Sequence, residues 1–95
     1  MRTFRKHLKE QMKDPEFAKG YNEEKRIIEL AVKIAKERNK LGISQAELAR
    51  KAHVTQQELS KVENGANCNM HTFIKVCIAL GLKLNFEREK ARIKV

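Results

Sequence analysis

Two adjacent glutamines, Gln56 and Gln57, are the side chains in this sequence best suited to specific hydrogen bonding with another molecule. A glutamine carboxamide can form two hydrogen bonds at once to adenine, through N6 and N7, in the major groove of DNA. If this segment is helical, four polar side chains share its outward side: Gln56, Gln57, Ser60 and Lys61. We therefore predict that these four residues contact the bases of DNA.

The same local pattern occurs twice, eleven positions apart, and each copy is a signal for the start of a helix. Ser44 and Thr55 can cap free backbone amides, while Glu47 and Glu58 fall at the third helical position and can bond back to the cap. Two apolar pairs would staple these starts: Ile43 with Leu48, and Val54 with Leu59. Eleven residues leave room for a helix of about two turns and a tight turn. The spacing predicts a helix-turn-helix whose second helix is presented to a DNA groove.

The sequence resembles the helix-turn-helix family of phage repressors and Xre-type regulators over about residues 26–82. Five motifs carry this resemblance: Ser44-Gln45, Glu47-Leu48-Ala49, Val54-Thr55, Val62-Glu63-Asn64-Gly65 and Ala79-Leu80-Gly81. Thr55-Gln56-Gln57 also resembles the start of the recognition helix in one lambdoid phage repressor, where the glutamines read bases.

That resemblance implies roles for three further residues. Gln45 is expected to contact phosphate from the start of the first helix of the motif, and Glu63 is expected to pair with Arg38. The sequence departs from the family pattern at His53, where the family most often has glycine. A left-handed conformation at His53 would cost about 1–2 kcal/mol, so we expect a strained or altered turn.

The net charge of +9 indicates a polyanionic partner, but the residues that contain the predicted helix-turn-helix contribute little to this charge. Positions 42–81 hold four basic and three acidic residues. Attraction to phosphate, which dominates non-specific affinity for DNA, is therefore expected mainly from the flanks and the tail. The residues predicted to contact phosphate are Ser44, Gln45, Asn64, Lys36 and Lys40.

Hydrophobic periodicity places the other elements around this motif. We expect a helix over residues 3–12, a second helix that starts at Asp14-Pro15, a third from Asn22 to Gly42, and a helix over about residues 70–80. The inward faces are predicted to include Ile27, Leu30 and Leu41 on the third helix and Phe73, Ile74, Cys77 and Leu80 on the last. Leu82, Leu84 and Phe86 alternate with polar residues, which predicts a short strand.

These elements predict an all-α protein, namely a five-helix lambda-repressor-like helix-turn-helix domain with an extra N-terminal helix and a short C-terminal β-strand. The expected divisions are an N-terminal helical extension (1–25), the DNA-binding domain (26–82) and a short strand with a basic tail (83–95). A strand cannot remain unpaired. We expect Leu82, Leu84 and Phe86 to pair with residues 91–95, with a second subunit to form a homodimer, or with another protein.

The N-terminal extension is more than a bare phage-repressor domain needs. Together with the core and the terminal Leu82–Phe86 segment, it resembles HigA-type antitoxins of bacterial toxin–antitoxin pairs, which repress their own operon and hold a ribonuclease toxin inactive. This resemblance implies a cognate toxin as partner. We expect the toxin contact on an apolar set, unless these residues merely cover the core: Phe4, Leu8, Met12, Phe17 and Tyr21.

Other classes of function are less well supported by the residues present. The three histidines lie on different elements without a neighbouring carboxylate, so no enzyme activity is expected. Cys68 and His71 lack a second metal-binding pair, so we expect no metal and no cofactor, and a buried thiol at Cys77. No apolar stretch predicts a signal peptide or a membrane span, which favours a cytoplasmic protein. The alternatives to an antitoxin are a stand-alone repressor and a basic RNA- or ribosome-associated protein.

Overall fold

The computed structural model describes the backbone of residues 2–89 and the side chains of residues 6–89. This part of the chain contains five α-helices: α1 (Arg2–Gln11), α2 (Pro15–Lys40), α3 (Gln45–Ala52), α4 (Gln56–Glu63) and α5 (Met70–Ala79). The all-α class is confirmed. The prediction of a five-helix domain with an additional N-terminal helix counts one helix too many, because a single helix replaces the two expected between Asp14 and Gly42.

Helix α2 runs without interruption for 26 residues, a length of about 39 Å. It begins as predicted: the Asp14 carboxylate accepts a hydrogen bond of 3.0 Å from the Glu16 amide, and Pro15 occupies the first turn. Gly20 is exposed and weakens the helix by roughly 0.5–1 kcal/mol. The helix nevertheless continues through Asn22, where a separate helix was expected to begin, since no proline interrupts it there.

Helices α2 to α5 pack around one small core. Helix α4 contacts α2, α3 and α5, and α3 also packs on α5. The core has contributions from all four helices: Ile34 from α2, Leu48, Ala49 and Ala52 from α3, Leu59 and Val62 from α4, and Val76 and Cys77 from α5, together with Leu80 at the C-cap of α5. The staple residues Ile43 and Val54 pack against this core from outside. Helix α4 is therefore packed against three other helices, and its remaining side is open to solvent.

The predicted inward faces of two helices are only partly correct. On α2, Ala31 and Ile34 are buried, whereas Ile27 and Leu30 are 43% and 51% exposed. On α5, Ile74 is exposed and Thr72 and Val76 are buried in its place. Both helices have apolar residues on more than one side, so helical period alone does not indicate which side meets the core.

The predicted strand at Leu82, Leu84 and Phe86 is wrong for the single chain. No strand forms among residues 2–89, and residues 82–89 are irregular. Leu82 packs against the core, while Leu84 is exposed and the Phe86 ring is fully exposed. Alternating residues form a strand only if an adjacent edge satisfies the backbone groups, and residues 6–89 provide none. The proposed pairing partner at residues 91–95 lies outside the described residues.

Candidate nucleic-acid interface

The open side of α4 presents the polar row that the sequence predicted. Gln56, Gln57 and Lys61 are exposed, and Ser60 is half-buried beside them. The Asn64 side-chain nitrogen Nδ2 donates a hydrogen bond of 3.2 Å to Ser60 Oγ. As the acceptor of this bond, the Ser60 hydroxyl retains its own proton as a donor. This surface offers the donors and acceptors that base edges in a major groove require.

Both helices of the motif begin with the predicted capping boxes. Ser44 Oγ accepts a bond of 3.1 Å from the Glu47 amide, and the Glu47 carboxylate accepts one of 3.3 Å from the Ser44 amide. Thr55 and Glu58 form the same reciprocal pair, at 3.0 and 2.9 Å. These bonds determine where α3 and α4 start, and therefore where the glutamines of α4 stand relative to α3.

Glu58 also connects α4 to α5, a contact that the sequence analysis missed. Its second carboxylate oxygen accepts a bond of 3.3 Å from the hydroxyl of Thr72, which is buried. The Thr72 amide in turn donates a bond of 2.8 Å to the Asn69 side chain, the cap of α5. The cap signal Asn69-x-x-Thr72 is visible in the sequence, but nothing in the spacing links it to Glu58.

These bonds give the stability a predictable dependence on pH. Hydrogen bonds from the Thr55 amide and hydroxyl lower the pKa of Glu58 from its ordinary value of 4.5. The Glu58 carboxylate thus stabilises the fold above about pH 4.5, and this contribution is lost as the pH falls through the lowered pKa. We expect the Glu58→Gln variant to be less stable than the wild type at about pH 6, with a difference that shrinks towards about pH 3.

Urea denaturation across that pH range would measure this effect. The stability of the Glu58→Gln variant should still fall in acid, since the pKa of Glu37 is also lowered, by its hydrogen bond from Lys33. Parallel curves for the variant and the wild type would show that Glu58 has no such role.

Arg38 and Glu63 form the ion pair that the family resemblance implied. Arg38 Nε and Nη2 donate to the two carboxylate oxygens at 2.8 and 3.0 Å, and Nη1 donates to the Ile43 carbonyl at 2.9 Å. The two side chains are only 16% and 6% exposed. The hydrogen bond to Glu63 raises the pKa of Arg38 above its ordinary value. This pair joins the end of α2 to the end of α4, and through Ile43 to the start of α3.

The side chains predicted to contact phosphate are placed in different ways. Gln45 is half-buried and donates a bond of 3.4 Å to Glu63, beside the ion pair. Lys40 Nζ lies 3.4 Å from the Glu37 carboxylate. Ser44, Asn64 and Lys36 are exposed. Contact of any of the five with DNA remains a prediction, since it depends on a duplex.

His53 occupies the turn between α3 and α4 in a left-handed conformation, with φ 59° and ψ 42°. Its amide bonds back to Arg50 at 3.2 Å, and the Val54 amide bonds to Ala49 at 3.0 Å, which is the pattern of a Schellman helix end. The turn therefore has the geometry that glycine usually provides, in agreement with the expected strain.

We expect His53→Gly to raise the free energy of unfolding by about 0.5–1 kcal/mol, because the strain it relieves exceeds the added freedom of the unfolded chain. Thermal or urea melts would measure the change. As a control, Lys51→Gly in the exposed part of α3 should lower stability by about 0.5–1 kcal/mol. Equal losses in both variants would contradict strain at His53.

The cysteines and histidines do not form a site. Cys77 is a buried thiol as predicted, and burial raises its pKa. Cys68 is half-buried at the edge of the core. Within residues 6–89, no three His, Cys, Asp or Glu side chains cluster in a way that would hold a metal ion.

The apolar residues before the motif are not part of the hydrophobic core. Helix α1 is not among the helices that pack closely together in the described part of the chain. Leu8, Met12 and Phe17 are half-buried and Tyr21 is exposed. The Phe17 and Tyr21 rings stack with their centres 6.3 Å apart. The side chain of Phe4 lies outside the described residues.

A short helix held on three sides, with a polar row on its fourth side and a preceding helix joined by a tight turn, defines a helix-turn-helix DNA-binding domain. Comparison with protein families agrees: the model of the helix-turn-helix family HTH_3 matches residues 34–86. The match covers more than half of the chain, so the protein belongs to this Xre/lambda-repressor-type family of DNA-binding transcription regulators, which are generally non-enzymatic.

A comparison with curated proteins found no match. None of the helices in residues 2–89 has the combined length and apolar character that a membrane crossing requires.

Proposed function

We propose that this regulator is a repressor that binds a two-fold symmetric operator as a homodimer, with α4 in the major groove. The observation that carries the proposal is the row of Gln56, Gln57, Ser60 and Lys61 on the open side of α4. A single helix of eight residues contacts too few base pairs to select one site in a genome. Two copies spaced by about 10 bp, one helical turn, would provide that selectivity in the cytoplasm.

In this proposal, phosphate contacts from Ser44, Gln45, Asn64, Lys36 and Lys40 orient the protein on the duplex. The dimer contact is proposed at the exposed segment that contains Leu82, Leu84 and Phe86, where a second copy could provide the missing strand partner. Sedimentation of a chain that ends at Gly81 tests this placement. Dimers formed by the shortened chain would contradict it.

We further propose that the regulator is the antitoxin of a toxin–antitoxin pair. The supporting observation is that Leu8, Met12, Phe17 and Tyr21 are not part of the hydrophobic core and precede residue 34, where the match to the helix-turn-helix family begins. Residues 1–25 would then form the toxin-binding extension, with Phe4 included. A stand-alone repressor without a toxin remains the alternative function, and it uses the same DNA site.

Deletion of residues 1–21, in cells that express the toxin from an adjacent gene, tests the placement of the toxin contact. A contact on the N-terminal segment predicts that the shortened protein no longer rescues growth but still binds its promoter. If the shortened protein rescues growth, the N-terminal segment is not part of the toxin contact. The absence of a small ribonuclease-like gene beside this one would favour the stand-alone repressor.

A further inference from the structure

An apolar groove of about 810 Å³ lies between α2 and the segment that joins α4 to α5. One wall contains Ile27 and Leu30 of α2, and the other contains Met70 and Phe73 of α5. It is open to solvent, and Leu30 and Met70 are largely exposed within it. Apolar side chains exposed together on a groove are typical of a binding surface for another molecule.

The groove depends on a close approach between α2 and the turn after α4. Gly65 has φ 71° there, and a Cβ at this position would lie 2.9 Å from Ile28 Cδ1. The positive φ favours glycine at this position, and any Cβ there would force the end of the Ile28 side chain to move. The same glycine forms part of the lining, so the groove is a built feature of the fold.

The charge at the groove is opposite to that of the protein as a whole. Glu24 is the one charged residue among its lining residues, although the chain carries a net charge of +9. Within the described part of the chain, the Glu24 carboxylate has neither an ion pair nor a hydrogen bond. An unpaired carboxylate at the edge of an apolar groove would repel DNA phosphate and attract a cation.

We propose that this groove binds a basic amphipathic helix of a partner protein, with apolar side chains against Ile27, Leu30 and Phe73 and a lysine or arginine beside Glu24. Helix-in-groove binding uses this combination of an apolar stripe and a charged edge. The basic helix α1 of a second copy is the competing occupant, and sedimentation distinguishes it from a partner protein. The proposal deepens the antitoxin role and rests on it for the identity of the partner.

A synthetic peptide of about 18 residues, with leucines at helical spacing and lysines elsewhere, tests the groove in the full-length protein. Fluorescence anisotropy should detect binding of this peptide and not of its counterpart with glutamate in place of lysine. Because the protein is strongly basic overall, general electrostatic attraction would favour the glutamate peptide instead. Equal binding of the two peptides, or preference for the glutamate peptide, would overturn the proposal.

Variants with matched controls locate the binding. Leu30→Gln should weaken binding of the lysine peptide by about ten- to a hundredfold, since it removes a buried leucine contact. Leu41→Gln is the control, since Leu41 is 52% exposed and Leu30 is 51% exposed, and only Leu30 lines the groove. Glu24→Gln should weaken binding by up to about fivefold at low salt, and Glu29→Gln should leave it unchanged.

Three outcomes distinguish failure of the proposed groove binding from failure of the proposed antitoxin role. If Leu41→Gln has the same effect as Leu30→Gln, the peptide binds elsewhere. If sedimentation shows that Leu30→Gln dissociates a dimer, the groove is occupied by a second copy and the proposal is wrong. Groove-specific peptide binding without growth rescue by the wild type would contradict the antitoxin role alone.

Discussion

Replacing Arg38 with methionine is expected to lower the free energy of unfolding by about 3–5 kcal/mol, because it leaves the Glu63 carboxylate buried without its partner. The Glu63 side chain is 6% exposed, and both of its oxygens accept bonds from Arg38. The long bond of 3.4 Å from Gln45 would be its one remaining bond among those described here. Urea denaturation of the variant against the wild type would measure this loss.

The double variant Arg38→Met with Glu63→Leu should be much more stable than the sum of the two single losses implies, because it removes both charges together. The exposed pair of Arg26 and Glu89, with 2.7 Å between Nη2 and Oε1, is the matched control. Glu89→Gln should change stability little, since solvent screens an exposed pair. Additive losses in the double variant would show that Arg38 and Glu63 act independently.

Replacing Gln56 and Gln57 together with alanine is expected to remove about 2–6 kcal/mol of operator affinity from each half-site, at least about thirtyfold. Both side chains are exposed, so the circular dichroism spectrum and the melting temperature should not change. Gel-shift titration would measure the loss on duplexes that the wild type selects from a randomised pool. Unchanged sequence preference in the double variant would contradict base reading by α4.

Lys36→Ala provides the contrast to the glutamine variant. Lys36 is predicted to contact phosphate, so its loss should weaken binding to all sequences about equally and reduce the salt dependence by about one counterion. The glutamine variant should leave the salt dependence unchanged. These opposite patterns separate contacts that position the protein from contacts that read sequence.

Local signals predicted the motif well. The caps at Ser44, Thr55 and Asp14 act within three residues of themselves, so the sequence contains almost everything that determines them. The ion pair of Arg38 and Glu63 was different, because the residues are 25 positions apart. No spacing rule connects them, and only the family resemblance indicated the pair.

The wrong predictions all depended on surroundings that the sequence does not specify locally. A strand at Leu82–Phe86 requires an edge to pair with, and Ile27 and Leu30 would be buried only if another element covered α2. Gly20 and the cap-type residue Asn22 predicted a break between two helices, yet a single helix continues through both. The exposed apolar side of α2 is therefore a consequence of tertiary packing, and it forms one wall of the groove.

The unbroken helix α2 has a geometric consequence for any assembly on DNA. Each residue of an α-helix turns its successor by about 100° and advances it by 1.5 Å. One residue inserted between Tyr21 and Arg26 would rotate Phe17 by about 100° about the helix axis relative to α4, without changing the local structure at either end. The number of residues in α2 thus fixes the rotation of the N-terminal segment about the helix axis relative to α4. This rotation determines on which side of the duplex a protein bound to the N-terminal segment would lie.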